Sequence, residues 1–211
     1  MLSKIKPLIA PTDFLSVYML ETRNRGRDIL PFLKVLPKVF EDKHNTILKL
    51  HTKGSNHLNR KEHWRKQLFS KLIGKGSVEH ALQVFRSNPA IGMMGPAGNI
   101  LPMSLYYAAN GQKVLGLCRR MGLNEEQLND LNFVAGSMFY ARREVLEPIV
   151  NLNLTENDFE PEAAQTDGTL AHAVERAFAA GLLVSGLQLA DTGYSPEHPV
   201  LRVSKTNKHI I

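Results

Sequence analysis

The amino-acid sequence predicts an α/β fold in which helices cover both faces of a mainly parallel sheet. Short apolar runs, typical of buried strands, alternate with stretches in which apolar residues recur every three or four positions, as on one face of a helix. The length of 211 residues suits a single domain, and a content of 43% hydrophobic and 22% charged residues is that of a globular protein. The absence of internal repeats excludes a solenoid.

Local patterns predict the elements of this fold. Alternating apolar and polar residues indicate a strand, helical spacing indicates a helix, and Gly, Asn or a capping side chain marks an end. Pro37 lies within the first predicted helix and is expected to bend it or end it early. In chain order, the patterns predict a strand at 14–20, a helix begun by Asp28, a strand at 46–51, a helix at 60–73, a helix begun by Ser77, a strand at 90–94, a helical stretch at 103–121 broken near Asn110, a strand at 132–140, a helix at 143–150, an acidic loop at 151–165, a helix begun by Asp167 and reaching about residue 180, and a last strand at 182–189.

Charge is distributed unevenly along the chain. The net charge is +6, with basic residues concentrated in 49–75 and acidic residues in 124–167. These segments are either two solvated faces or two walls of a cleft, one receiving an anion and one supplying carboxylates. The basic segment lacks the interleaved aromatics of a single-strand nucleic-acid binder, so no nucleic-acid partner is expected. No apolar run is long enough to span a bilayer, and one cysteine, Cys118, suits a reducing compartment, so a cytoplasmic location is expected.

The segments after the first two predicted strands are candidates for binding an anion. Ligands of parallel α/β sheets bind beyond the carboxyl ends of the strands. Backbone amides at the start of the first helix, and a lysine beside the amides near Gly54, can cradle a diphosphate. The alternatives are a plain helix cap for Asp28 and a solvated loop for Lys53. The candidate residues are Arg23, Asn24, Gly26, Arg27, Asp28, His51, Thr52 and Lys53.

Acidic residues in the last third of the chain are candidates for proton transfer. A carboxylate in a loop that faces a cleft is what activation of an acceptor hydroxyl requires. Glu162 and Asp167 are the candidates, with the alternative that Asp167 only caps the helix that follows it. His172, Glu175 and Arg176 share one face of that helix, either in a site or, for the last two, as a solvated pair. Apart from His172 and Glu175, no pair has metal-ligand spacing, and Asp-x-Asp is absent, so no metal site is predicted.

Five blocks of sequence, in order along the chain, carry a resemblance to a known family. They are Asn24–Ile29, Leu48–Lys53 with Trp64-Arg65, Ile91–Pro96, Phe133–Arg142, and Asp158–Glu162 with Asp167–Arg176. The chain resembles the rhamnan synthesis protein F family, which is found in bacterial rhamnose-polysaccharide and lipopolysaccharide assembly. The resemblance implies a GT-A-like fold and a glycosyltransferase that moves a sugar, expected to be the deoxyhexose rhamnose, from a nucleoside diphosphate sugar to a growing cell-surface polysaccharide.

The resemblance also implies roles for the candidate residues. Segments 23–28 and 51–53 would hold the donor diphosphate, and Asp167 or Glu162 would deprotonate the acceptor hydroxyl, with loop 151–165 as a lid. The side chains that would balance charge are those of Arg142, His172 and Arg176. The expected partners are the nucleoside diphosphate sugar, a glycan or lipid-linked acceptor, and the inner surface of the cytoplasmic membrane. Similar transferases hold a divalent metal through Asp-x-Asp, which 51–53 replaces here, so no cofactor is predicted and metal dependence stays open.

The organisation expected from the resemblance is one GT-A-like domain over residues 1–211, with a core at about 14–190 and a C-terminal tail at 191–211. The chain begins at what reads as a mid-sheet strand, so the first strand–helix units of such a fold are expected to be absent. The alternative function is therefore a truncated, non-catalytic remnant that binds a glycan or a protein partner.

Overall fold

The computed structural model of the protein describes residues 17–52, 59–163, 165–199, 201, 203 and 204. Short 3-10 turns at 103–105, 108–110, 126–128 and 156–158 connect some of the regular elements within these residues. The helices are α1 (Ile29–Glu41), α2 (Asn59–Ile73), α3 (Ser77–Ser87), α4 (Gly111–Arg120), α5 (Arg143–Val150), α6 (Leu170–Ala177) and α7 (Ala180–Ser185). The strands are β1 (Thr46–Lys49), β2 (Ile91–Gly95), β3 (Ile100–Pro102), β4 (Asn132–Val134), β5 (Phe139–Arg142) and β6 (Gln188–Asp191).

The main sheet is mixed, with the strand order β1-β5-β2-β6. Strand β5 is antiparallel to both β1 and β2, whereas β2 and β6 are parallel. Strands β1, β2 and β6 therefore run in one direction, and β5 runs in the opposite direction between β1 and β2. Because this reversed strand separates β1 from β2, the prediction of a mainly parallel sheet is wrong for the described strands. The predicted α/β composition is confirmed.

The reversed strand comes from a turn inside the segment predicted as a strand at 132–140. Gly136 and Ser137 both have positive φ, at 88° and 50°, a conformation that glycine adopts easily and serine rarely. This turn divides the segment into β4 and β5. Strand β4 leaves the main sheet and pairs antiparallel with β3, Ile100 opposite Val134, while β5 enters the main sheet.

Other local predictions also differ from the structure. The described part of the predicted first strand, 17–20, has no regular structure, and residues 14–16 lie outside the described residues. Helix α1 continues past Pro37 to Glu41, because buried Leu36 and Phe40 hold its last turns against the core. The first half of the predicted strand at 182–189 is instead part of helix α7. This helix ends at Ser185 and is followed by Gly186, whose φ is 68°. Only then does β6 begin.

Helices cover both faces of the main sheet, as predicted. Successive residues of a strand point to opposite faces. Met93 accordingly belongs to a core formed with α1, α4, α5 and α6, and its neighbour Met94 belongs to a second core. The second core is formed by side chains of α2 and α3 with Met138 and Tyr140. None of the helices in the described ranges has both the length and the apolar character that crossing a bilayer requires.

The direction of the strands defines the edge at which a ligand is expected. The carboxyl ends of β1, β2 and β6 lie at one edge of the sheet, where the turn at 135–138 leads into β5. The segment before α1 and the second turn of α6 also reach this edge, because Asp28 bonds to Lys49 and Ser137, and Glu175 bonds to Gly136.

Candidate functional site

A buried ion pair joins the start of α1 to the end of β1. The Lys49 ammonium lies 2.5 Å from Oδ2 of Asp28 and also donates to the carbonyl and hydroxyl oxygens of Ser137, each at 2.9 Å. The Ser137 hydroxyl donates to the same Asp28 oxygen at 2.5 Å, and Nε2 of His51 lies 3.6 Å from it. The side chain of Lys49 is only 3% exposed, so this ammonium is satisfied within the protein.

The carboxylate of Asp28 is held in its charged form. Burial by itself would raise its pKa, but the positive charges of Lys49 and His51 and hydrogen bonds from Lys49 and Ser137 outweigh burial and hold the pKa at about 2. Burial lowers the pKa of Lys49, against the opposing charges of Asp28 and Glu175. Asp28 occupies the N-cap position of α1, yet its side chain makes no cap hydrogen bond. The alternative that Asp28 serves only as a helix cap is therefore wrong.

The left-handed turn at 135–138 connects this ion pair to α6. The backbone N–H of Gly136 donates to Oε1 of Glu175 at 2.7 Å, and its carbonyl accepts from Nε2 of His51 at 2.9 Å. Glu175 is thus a partner of the turn, and the alternative of a solvated Glu175–Arg176 pair is wrong. A Cβ at position 136 would lie 3.1 Å from the ring of Trp64, so the packing favours glycine here.

A second network surrounds Arg27. Its backbone N–H donates to Oε1 of Glu162 at 3.0 Å, and its guanidinium donates to Nε2 of His172 and to the carbonyl of Gln165. A guanidinium only donates, so Nε2 is an acceptor and the neutral ring carries its proton on Nδ1. That Nδ1 donates to Oγ1 of Thr169 at 2.7 Å. Burial, reinforced by the charge of Arg27, lowers the pKa of His172 to about 4.

Asp167 belongs to the same network but does not begin α6. The N-cap position of α6 is occupied by Thr169, so the predicted cap at 167 is wrong. Oδ1 of Asp167 accepts from the amide of Asn110 and lies 3.5 Å from Arg176. Burial would raise the pKa of Asp167, but the Asn110 hydrogen bond and the Arg176 charge outweigh it and lower the pKa. Arg176 also donates to the carbonyl of His172.

The remaining candidates lie around or away from these two networks. Arg23 is exposed and lies 3.5 Å from Glu156, and Asn24 and Thr52 are also exposed. Gly26 is buried beneath Phe159 of the acidic loop, and Lys53 lies outside the described residues.

Arg142 is three residues from Phe139, at the other end of β5, roughly 10 Å along the strand. Its guanidinium donates to the carbonyls of Ile91 and Phe85. The structure thus separates Arg142 from the other candidates. It brings together Arg27, Asp28, His51, Glu162, Asp167, His172 and Arg176.

The acidic loop forms one wall of the site. Phe159 is buried against Gly26, whose position leaves no room for a Cβ beside Leu30. Glu156 pairs with Arg23 and with Lys34, at 3.5 and 3.2 Å. The segment predicted as a lid is therefore packed against α1 in this structure. Among the described residues, no group of three or more His, Cys, Asp or Glu side chains is arranged to hold a metal ion.

Two residues at the centre of the site were missed by the sequence predictions. Lys49 alternates in phase with Ile47, which is buried, and a lysine in that phase signals a buried ammonium. Gly136-Ser137 interrupts an apolar run, and such a pair signals a turn more than a strand. Lys49 was instead counted only as one charge of the basic segment 49–75, and Ser137 was placed in a strand.

Comparison with known proteins identifies similar chains. The model of the rhamnan synthesis protein F family matches residues 3–183. Two proteins of Xanthomonas campestris pv. campestris, from strains B100 and ATCC 33913 and both named uncharacterized protein WxcX, are 39% identical over 153 residues. This alignment covers 72% of the present chain and 22% of each relative, so the chain spans about a fifth of the length of these relatives. No solved structure matches the chain.

Proposed function

Because this chain belongs to the rhamnan synthesis protein F family, we propose that it transfers a sugar, with rhamnose as the expected one, from a nucleoside diphosphate sugar to a growing cell-surface polysaccharide. The family name associates its members with polysaccharide synthesis; the transfer reaction is the proposal. One observation carries it. Four sequence blocks, around residues 27, 49, 137 and 172, bond to one another at the edge of the sheet where α/β folds bind ligands.

In this proposal Arg27 holds the donor diphosphate. The two described contacts of its guanidinium go to neutral acceptors, the His172 ring and the Gln165 carbonyl. Phosphate oxygens bind a guanidinium in charge-assisted pairs that are about twice as strong as neutral hydrogen bonds, so a diphosphate competes well for Arg27. Arg23, Asn24 and Thr52 are exposed and are assigned to the same donor side. We also assign His51 to the donor side. Lys53 is assigned there only because it follows His51 by two positions in the sequence.

The acceptor side of the proposal contains the two carboxylates. Asp167 is engaged by Asn110 and Arg176, and its lowered pKa makes it a weak base. Its role here is to orient Arg176. Glu162 accepts the backbone N–H of Arg27 beside the donor position, so it is the better placed of the two carboxylates.

The proposal also covers the fold type, the cellular location, the acceptor and the metal dependence. Three codirectional strands end at the sheet edge that carries the site, an arrangement that suits a GT-A-like nucleotide-binding fold. The cytoplasmic location, the contact with the inner membrane surface, and a glycan or lipid-linked acceptor follow from the reaction proposed. Donor binding without a divalent metal is part of the proposal, since Arg27 offsets diphosphate charge.

Calorimetric titration of the chain with UDP-, GDP- and dTDP-sugars, each with and without a chelator, tests the proposal. We expect one nucleotide to bind in both conditions and Arg27→Gln to weaken it at least tenfold. Arg86→Gln removes the same charge from an exposed position on α3 and is the matched control. No binding of any nucleotide, or equal binding by both variants, would refute the donor site.

A transfer assay then separates the carboxylates. We expect Glu162→Gln to reduce the rate of transfer more than Asp167→Asn at equal donor binding. The reason is that Asp167 is held by Asn110 and Arg176, whereas Glu162 accepts one backbone N–H, that of Arg27.

The second candidate function is a non-catalytic domain that binds a glycan or a protein partner. The observation that favours it is that the charged groups of the site already satisfy one another, above all Asp28 with Lys49. This candidate predicts binding of rhamnose oligosaccharides with no nucleotide binding and no transfer.

A further inference from the structure

The Nε2 atom of His172 has a lone pair that could accept a proton, and the guanidinium of Arg27 covers it. The guanidinium of Arg27 can only donate, so its contact with Nε2 assigns the proton of the neutral ring to Nδ1, and the Thr169 hydroxyl then accepts from Nδ1 at 2.7 Å. A nitrogen base oriented by a third group is the arrangement found in general-base catalysis. The histidine is 7% exposed, and the residue that covers its lone pair, Arg27, is itself exposed, in a left-handed turn with φ of 54°.

The charged groups around His172 come from three elements. Arg27 and Asp28 precede α1, Asp167 precedes α6, and Arg176 lies one turn further along α6. Both aspartates are committed, Asp28 to Lys49 and Asp167 to Asn110, and both are held in the charged form. The Nε2 lone pair of His172 is thus covered by a side chain that a phosphate can attract, whereas the partners of the two aspartates are buried.

We propose that Arg27 is a gate on His172: the donor diphosphate draws the guanidinium away from Nε2, and His172 then accepts the proton of the acceptor hydroxyl. This inference rests on the proposed function. Glu162, which binds the backbone N–H of Arg27, then positions the turn that carries the gate.

In the proposed reaction, the acceptor oxygen replaces the diphosphate oxygen on the anomeric carbon of the donor. The acceptor hydroxyl gives its proton to Nε2 of His172 while its oxygen bonds to the anomeric carbon of the donor. The bond between that carbon and the diphosphate oxygen breaks, and the electron pair leaves with the nucleoside diphosphate, beside Arg27. The imidazolium keeps its Nδ1 hydrogen bond to Thr169 and releases the new proton to solvent.

The energetics favour this order of events. The guanidinium of Arg27 bonds to neutral acceptors in this structure, and a phosphate offers it stronger, charge-assisted bonds. Once the guanidinium moves, His172 loses a positive neighbour that opposes its protonation. The base is therefore released only when the donor is present, which limits futile proton uptake.

NMR titration of the His172 ring, assigned by loss of its signal in His172→Gln, tests the gate. The probes are UDP, GDP and dTDP without sugar, used on the parent, on Arg27→Gln and on the charge-matched control Arg86→Gln. We expect Arg27→Gln to raise the pKa of His172 by at least one unit. We expect the nucleotide that binds to raise it in the parent as well, and Arg86→Gln to leave it unchanged.

The outcomes separate the two proposals. Nucleotide binding with an unchanged His172 titration overturns the gate and leaves the proposed function standing, whereas no binding by any of the three nucleotides overturns both. In the transfer assay, His172→Gln should bind donor but lose at least 100-fold in rate, and parent-like transfer overturns the role of His172. If His172→Gln does not fold, the signal is assigned by elimination with single variants of the other histidines, and the parent and Arg27→Gln titrations decide the question.

Discussion

Replacing Lys49 by Met is expected to destabilise the protein and to reverse the pH dependence that Asp28 contributes. In the parent, the Asp28 pKa of about 2 lies below the ordinary 3.8, which corresponds to ~2.5 kcal/mol of stability at neutral pH. Removing the ammonium also leaves a buried charge without its partner, and breaking such a pair costs about 3–5 kcal/mol. Met has a similar length, so packing changes little.

The sign of the pH dependence is the sharper part of this prediction. In the parent, the folded pKa of Asp28 is lowered, so its contribution is present above about pH 4 and is lost as the pH falls toward 2. In Lys49→Met, burial raises the pKa of Asp28 above its ordinary value, so its contribution improves as the pH falls. The difference in unfolding free energy between parent and variant should therefore be largest at pH 7 and shrink below about pH 5.

Urea unfolding of parent and variant between pH 3 and 7 measures this difference. Lys38→Met, at an exposed ion pair of α1, is the matched control and should change little at any pH. Asp28→Asn added to Lys49→Met should recover part of the loss, because it removes the unpaired charge. A Lys49 variant as stable as the control, or a loss that grows in acid, would refute the buried-pair interpretation.

The remaining predictions concern one glycine and one histidine. Gly26→Ala should cost more than about 2 kcal/mol by thermal unfolding, because its Cβ would lie 2.5 Å from that of Leu30 at a positive φ. Gly76→Ala, also at positive φ but with open space around it, should cost only about 1 kcal/mol. The free energy of unfolding should fall by ~3 kcal/mol through His172 as the pH falls from about 6.5 to 4. In that window His172 binds a proton in the unfolded chain and stays neutral in the folded protein. A pH-independent unfolding free energy across that window would contradict the last prediction.

Short-range patterns in the sequence predicted the elements that local periodicity determines. Helix α5 was predicted at 143–150 and is confirmed at Arg143–Val150, because Val145, Leu146 and Ile149 mark one helical face. The strand predicted at 132–140 was wrong because an apolar run buried on both sides carries no alternation. The residues that break it, Gly136 and Ser137, act through backbone conformation, which the pattern does not record.

The candidate site was predicted in part for the same reason. Residues with distinctive chemistry in short blocks, such as Arg27, Asp28 and His172, were found. Lys49 was missed because its importance depends on burial, and burial depends on β5 and the turn before it, which lie about 90 residues later in the chain. The alternation at 46–51 places Lys49 on the same face as Ile47, but it does not show which residues cover that face.

The place of β5 in the sheet also determines the order in which the protein can fold. Strand β1 pairs with β5 across 90 to 96 positions of sequence, and β2 pairs with β6 across 96 to 97, so each outer strand of the main sheet closes a very long loop. Such contacts slow folding, because the entropy of closing the loop is lost before the contacts form. During synthesis, the first helices and the β3–β4 pair, whose strands are joined by residues 103–131, can form early, but no strand links β1 to β2 until β5 has emerged. A nascent chain arrested before residue 142 should therefore expose both edges of the apolar strand β2 to chaperones, and the exposure should end only in chains extended past β6.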